Sequence, residues 1–203
     1  MQALDDPQLE TSVADLVTRI EQRTDAEIVV VVARRSAEYR DVPWMLATIG
    51  SAALMAFVLF SPLEFHPWLI PLDAGLGFAA FWWLGTRDIV KSWLVTTSRR
   101  EHAVRTAAAA EFVREAVHGT PNRTGVLVYC SRLEGEVVVI ADMGVERSVP
   151  QAALAVAARR IPLDSLRGFC AGLDDLGKLL TEHLPHGPGS DGFDLPNRPR
   201  IRP

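Results

Sequence analysis

Glu27 and Asp142 are the carboxylates whose placement could do chemistry. Glu27 stands just ahead of a β-branched run at 28–32, and Asp142 just behind another at 137–140. If the two runs lie in one sheet and point opposite ways, both carboxylates reach the same edge, where Arg123 and Thr124, ahead of a third run at 125–130, join them. Such a pair could hold a divalent cation, calcium or magnesium, because these ions gather several oxygen ligands. No other cofactor is asked for by the sequence. The plainer alternative is that Asp142-Met143-Gly144 makes a turn, for which Asp and Gly are the usual residues, and that Glu27 is a solvated strand end.

The opposite edge would carry Arg34, Ser36, Tyr39, Ser131 and Glu134 at the carboxyl ends of parallel strands, where open α/β sheets bind ligands. Next to a membrane, basic anchoring is the alternative use of that edge. Ser36, Ser131 and Cys130 are of nucleophilic type, but no elbow motif and no adjacent base accompanies them. No glycine-rich phosphate loop follows any strand. His183 and His186 fall in a stretch rich in Pro and Gly, where solvated side chains are expected rather than a metal pair.

Several elements must position these groups. Asp6-Pro7 opens a helix in which Leu9, Val13, Leu16 and Ile20 recur at helical spacing. The strand at 26–33 is apolar without alternation, which predicts burial on both faces. Residues 87–118 contain neither Gly nor Pro and predict a long helix. At ~48 Å that helix outreaches a strand, so it projects as a stalk or breaks near Thr96-Thr97-Ser98. The runs at 125–130 and 136–141 predict an antiparallel hairpin with its turn at Gly135. A helix follows from Ser148 to Arg160, and another, capped by Asp164, carries the stripe Leu166, Phe169, Leu173, Leu176, Leu180 and Leu184 up to Pro185. Residues 186–203 read as a flexible tail. The long crossover lets the first two strands pair in parallel. The fold class is therefore α/β (α+β), a small mixed sheet flanked by helices.

Into this domain is inserted an apolar stretch at 42–86. Residues 42–63 are free of charge and 65–86 contain only Asp73, and each window meets the ~20 residues that a ~30 Å hydrocarbon core requires. A two-helix transmembrane hairpin is the expectation, with a buried hairpin of a soluble core as the alternative. Trp44, Trp68, Trp82 and Trp83 lie near the window ends, where indoles favour the water boundary. Arg40 and Arg87 flank the insertion, with Arg34, Arg35, Lys91, Arg99 and Arg100 beyond them and no basic residue at the tip. Both termini should then be cytoplasmic, with two spans in the inner membrane. Asp73 is the one ionisable group inside a window, a functional suspect by default and an interfacial helix cap by the plainer reading. The domain segments are thus 1–41, 42–86, 87–185 and 186–203.

The formal net charge of −4 gives no basic face for nucleic acid, so the bilayer and membrane-associated proteins are the expected partners. The start of the chain lacks the basic-then-apolar layout of a secretion signal, and Cys130 and Cys170 are expected to be reduced.

The residues 26–31 (Ala-Glu-Ile-Val-Val-Val), Thr124-Gly125-Val126-Leu127, Asp142 with Gly144, and Gly172-Leu173 resemble the TPM-domain family, shared by a thylakoid acid-phosphatase-like protein, a photosystem II repair factor and a receptor modulator. More narrowly the chain is similar to a bacterial branch with a membrane hairpin after the first strand. The resemblance implies a helix-flanked mixed sheet, with a phosphatase activity or metal site in some relatives and an assembly role in others. Where the branch carries an Asp followed by Asn-Glu-Leu-Pro, this chain has Asp191-Gly192-Phe193-Asp194-Leu195-Pro196, without that carboxylate–amide pair. The expected function is a non-catalytic interaction or assembly and maintenance module, the alternative a metal-dependent phosphatase acting on phosphomonoesters.

Overall fold

The β-branched run after Glu27 becomes the middle of the structure. In the computed structural model, which describes residues 7–62, 66, 68–120, 122–187 and 197–202, it forms β1 (Glu27–Ala33), with both faces buried. Beside it lies β2 (Gly125–Ser131), parallel and in the register Val30 to Val128, and beyond that β3 (Glu136–Ala141), antiparallel to β2. Gly135, at φ +68°, supplies the left-handed residue of the β2–β3 turn.

Strand alternation divides the core in two. Ile28, Val30 and Val32 share one face with Val126, Val128 and Cys130, covered by α1 (Leu9–Glu21), α7 (Gln151–Arg159) and α8 (Leu166–His183). Val29, Val31, Leu127 and Tyr129 face the other side, where Val104 and Ala108 of α5 (Thr97–Arg114) pack with Val117. Each fully buried valine of β1 is worth roughly 1.5–3 kcal/mol of apolar burial. The stripe on α8 is confirmed: Phe169, Leu173, Leu176 and Leu180 are fully buried.

Four details refine or differ from the sequence expectations. The helix at 87–118 takes the second of its two expected forms, a break rather than a stalk. It is split into α4 (Asp88–Leu94) and α5, with Val95 extended and its carbonyl accepting from the Arg100 guanidinium at 2.9 and 3.0 Å. That side chain satisfies an oxygen the helical ladder would otherwise claim, and the break takes in Val95 and Thr96, at the start of the expected Thr96-Thr97-Ser98. The cap of α8 is Ser165, not Asp164; the Ser165 hydroxyl accepts from the Gly168 N–H at 3.2 Å. A short helix, α6 (Met143–Glu146), follows Asp142, where a simple turn was the plainer expectation.

The fourth difference is the largest. The segment expected to be a flexible tail contributes β4 (Arg200–Arg202), parallel to β1, giving the sheet order β3-β2-β1-β4. Its residues alternate Arg-Ile-Arg, a strand pattern too short to stand out among prolines. The Asp6 cap and the 191–196 stretch lie outside the described residues.

Residues 1–37 and 101–203 form one compact unit and residues 38–100 a second, slightly wider than the expected insertion at 42–86. The second unit holds α2 (Asp41–Phe60), α3 (Ile70–Gly85) and α4. α2 and α3 run antiparallel: Pro43 lies against Gly85, Gly50 against the Phe81 ring, and Leu54 against Gly77. A Cβ at Gly50 would sit 2.5 Å from that ring, so the close approach of the two helices depends on the missing side chain. Among the described residues, α2 alone is long and apolar enough to cross a membrane. The second window is not one helix throughout. Pro71, in the first turn of α3, has no N–H and suits a helix start, and the 16 residues of α3 reach only ~24 Å.

Candidate functional site

The amino ends of β1 and β2 and the carboxyl end of β3 do meet at one edge. Glu27 is in register with Gly125, and the Asp142 N–H donates to the Gly125 carbonyl at 2.9 Å. The two acidic residues thus occupy one row across three strands, with backbones ~10 Å apart at normal strand spacing. Between them in the chain fold comes Arg123, which adopts a left-handed φ of +56°. Its Nε is 3.1 Å from each oxygen of Asp142, and its Nη2 is 3.0 Å from Oδ1. The Met143 N–H also donates to Oδ1, at 2.7 Å, which caps α6.

The Asp142 side chain is 3% exposed, whereas that of Arg123 is 52% exposed. The positive charge beside this buried carboxylate is therefore a guanidinium with its outer half in water. In turn the carboxylate stabilises the Arg123 cation. The glycines of this edge are matters of space: a Cβ at Gly125 would fall 2.1 Å from the Val117 carbonyl oxygen, and one at Gly144 2.4 Å from that of Asn122. The Gly144 N–H closes the loop by donating to the Arg123 carbonyl at 2.9 Å. Thr124-Gly125 and Asp142 with Gly144 thus stand where β2 begins and where β3 passes into α6. Among the described residues no group of three or more His, Cys, Asp or Glu is placed to hold a metal ion.

At the opposite edge, Glu134 is buried and is the hub. It accepts from the Ser131 hydroxyl and, through both oxygens, from the Ser36 N–H at 3.2 Å. The Ser36 and Tyr129 hydroxyls are 3.2 Å apart, and burial pushes the Tyr129 phenol up from its ordinary pKa. This cluster clamps the β2–β3 turn to the end of β1, with the Arg132 and Leu133 N–H groups donating to the Ala33 and Arg34 carbonyls. Ser131 thus has a carboxylate beside it but is itself fully buried, which leaves it no path to a substrate. Cys130 is fully buried too, and desolvation pushes its thiol up, away from thiolate chemistry.

The remaining candidates are dispersed. Nδ1 of His183 lies 3.0 Å from the Leu179 carbonyl on its own helix, while Nδ1 of His186 is 3.3 Å from Asp25. A groove of about 810 Å³ is lined by Asp15, Arg19, Arg23, Cys170 and Asp174, but Arg23 already pairs with Asp174 at 3.1 Å. Asp73 sits half-buried in the first turn of α3, whose N-cap is Leu69 rather than a side-chain cap; there its charge complements the helix dipole. Trp44 packs against Phe78 and Trp82 at 6.2 and 6.5 Å, and the Arg87 guanidinium lies 4.0 Å over Trp83. Trp68 is 73% exposed, and Arg40 pairs with Glu38.

One ion-pair network was not foreseen. Arg200 and Arg202 of β4 meet Glu115 and Glu111 at the end of α5, with Arg200 Nε 2.9 Å from Glu115 and Arg202 Nε 3.2 Å from Glu111. The signal available in the sequence was the i, i+2 spacing of the two arginines opposite an i, i+4 pair of glutamates, which only the sheet topology brings together.

No protein-family model and no curated protein matches the chain. Among solved structures it is similar to the BA42 protein from the psychrophilic bacterium Bizionia argentinensis, determined by NMR, at 15% identity over 97% of this chain and 94% of that one, with a TM-score of 0.55. At that identity the likeness establishes the fold alone.

Proposed function

We propose that the chain is a membrane-anchored, TPM-like domain facing the cytoplasm, which works by binding proteins in the assembly or maintenance of a membrane complex. The observation that carries this reading is where apolar side chains meet solvent. Among the described residues the exposed large hydrophobics, from Trp44 and Ile49 through Phe60, Trp68 and Leu76 to Ile89 and Trp93, fall within residues 44–94, with Val113, Met143, Val156 and Ile201 as the exceptions. A surface of that composition is stable in lipid and unstable in water. Glycine-mediated contact between α2 and α3 is the packing that helices adopt where no hydrophobic force drives them together. The pair enters as a hairpin, with α2 spanning and with Arg40 and Arg87 on the cytoplasmic side.

Engagement of the buried polar groups supports a role without catalysis. The Asp142 carboxylate is engaged by Arg123 and Met143, and Glu134 by Ser36 and Ser131, so each buried carboxylate already has charged or N–H and O–H partners that a cation would have to compete with. The competing reading is a metal-dependent phosphatase using Asp142 and Glu27. Thermal melts of the detergent-solubilised protein with calcium or magnesium separate the two, since a bound cation raises the melting temperature by linkage. Interaction without catalysis predicts no shift and no hydrolysis of a phosphomonoester. A cation-dependent rise, abolished together with hydrolysis by Asp142→Asn with Glu27→Gln, would establish the phosphatase instead.

A further inference from the structure

The edge of β1 is closed by a three-residue strand that arrives from the far end of the chain. β4 contributes little apolar burial: Ile201 is 57% exposed, and its neighbours are arginines. What holds it is a backbone ladder and two charged side chains. Val31, Val32 and Ala33 are in register with Arg200, Ile201 and Arg202, and the Arg34 N–H donates to the Arg202 carbonyl at 3.1 Å. Because Arg200 and Arg202 share the strand face of Val31 and Ala33, both guanidiniums reach the α5 side of the sheet. There the Glu111 and Glu115 side chains are only 9% and 12% exposed. Arg202 bridges both carboxylates, and Arg114 adds a further contact to Glu111.

This is the arrangement of a peptide-recognition edge: main-chain bonds provide affinity, and pockets for alternate side chains provide specificity. From the seated strand, the alternation and the paired glutamates, we infer that the β1 edge with Glu111 and Glu115 is a binding site for an extended Arg-x-Arg segment of another protein, occupied in this structure by the chain's own Arg200–Arg202 as a tethered competitor. Tethering sets a high local concentration of the resident strand, so an outside segment binds only when the tail is released or outcompeted. The inference gives the interaction reading a concrete surface. It can fail while the topology and hydrolysis results stand, because its test needs neither bilayer nor substrate.

The test uses the full chain carrying a protease recognition sequence within residues 188–196, cut after folding. A fluorescent peptide with the sequence of residues 197–203 is added to cut and uncut protein in the same detergent. The cut protein should take up peptide saturably, about tenfold or more tightly than the uncut protein. The same peptide with both strand arginines changed to glutamate, and the wild-type peptide on a Glu111→Gln, Glu115→Gln chain, should each bind about tenfold or more weakly. Failure of the cut protein to bind, equal uptake by uncut protein, or indifference to the arginines would overturn the site. Loss of folding on cutting would show β4 to be a structural strand and overturn it as well. A concentration-dependent dimer of uncut protein, abolished by Arg200→Glu, would name a second copy as the occupant and displace the proposed partner.

Discussion

The sheet domain and the helical unit at 38–100 are rich in the same apolar residue types and dispose of them in opposite ways. In the domain, Val30, Leu127, Phe169 and Leu176 are all but inaccessible, whereas Ile49, Phe57 and Leu76 of the helical unit are more than half exposed. The polar groups divide similarly. The buried carboxylates Asp142 and Glu134 of the domain are met by specific partners, while α2 and α3 contain hardly any polar groups and close on each other through glycines. One region therefore specifies its fold against water, and the other is suited to a solvent that is itself apolar.

Exchanging a residue for aspartate in each region puts that contrast at its greatest risk. Val30→Asp should abolish folding of the sheet domain, since an unpaired buried carboxylate costs several kcal/mol against a total stability of about 5–15 kcal/mol. Ile49→Asp should leave the domain folded and instead oppose membrane insertion by about 2.5–3.5 kcal/mol. Circular dichroism and membrane fractionation on both variants decide the matter, and a folded Val30→Asp protein would mean that β1 is not buried on two faces.

Space at the motif glycines comes next. Gly144→Ala places its Cβ against the Asn122 and Arg123 carbonyls and should cost about 1–3 kcal/mol of overpacking, measured by denaturant titration of the sheet domain's signal. Unchanged stability would mean that the Asp142–Gly144 loop relaxes freely.

Arg123→Ala should lower stability by a smaller but measurable amount, because it leaves a nearly inaccessible carboxylate with the Met143 N–H as its remaining charge-compensating donor. Asp142→Asn added to that variant should recover part of the loss, because it removes the buried charge. An additive double mutant would show that the two side chains act independently.

The smallest effect concerns acid stability. Lys178 holds the Asp174 carboxylate below its ordinary pKa of 3.8, and Arg23 adds to this. A carboxyl lowered by folding stabilises the native state above its unfolded pKa and loses that contribution as pH falls through the folded value. The pair is largely solvated, so Lys178→Ala should lower stability only slightly near neutral pH and flatten the stability profile below about pH 4. A loss that persists in strong acid would mean that the Lys178 side chain stabilises α8 by something other than its carboxylate partners, since alanine is the better helix former.

The parts legible in the sequence were those set by local periodicity. The two-sided burial of β1, the β2–β3 hairpin and the α8 stripe follow from runs of residue type, because burial on a strand or helix repeats with its geometry. Parallel pairing of β1 and β2 followed from a crossover long enough to allow it. The edge that brings Glu27 toward Asp142 was legible for the same reason, but the role of Arg123 was not, since a left-handed residue before a strand leaves no pattern. β4 was illegible because three residues carry no period, and its partners Glu111 and Glu115 lie on an element distant in sequence. A break near Thr96 was legible because a helix of that length outreaches a strand, but the arginine that reaches back to the Val95 carbonyl was not, an interaction to which propensity is blind. A helix start near Pro71 and Asp73 was legible, but the cap is Leu69 rather than Asp73, which lies inside the first turn.

Membrane anchoring with a cytoplasmic domain is tested most directly by labelling intact cells with an impermeant thiol reagent, in a Cys170→Ser background that leaves only the buried Cys130. One protein carries Glu64→Cys between the two apolar segments and the other Gln22→Cys at the end of α1. Labelling of Glu64→Cys from outside, with Gln22→Cys reacting only after permeabilisation, is the predicted result. Labelling of Gln22→Cys in intact cells, or failure to label Glu64→Cys, would contradict it.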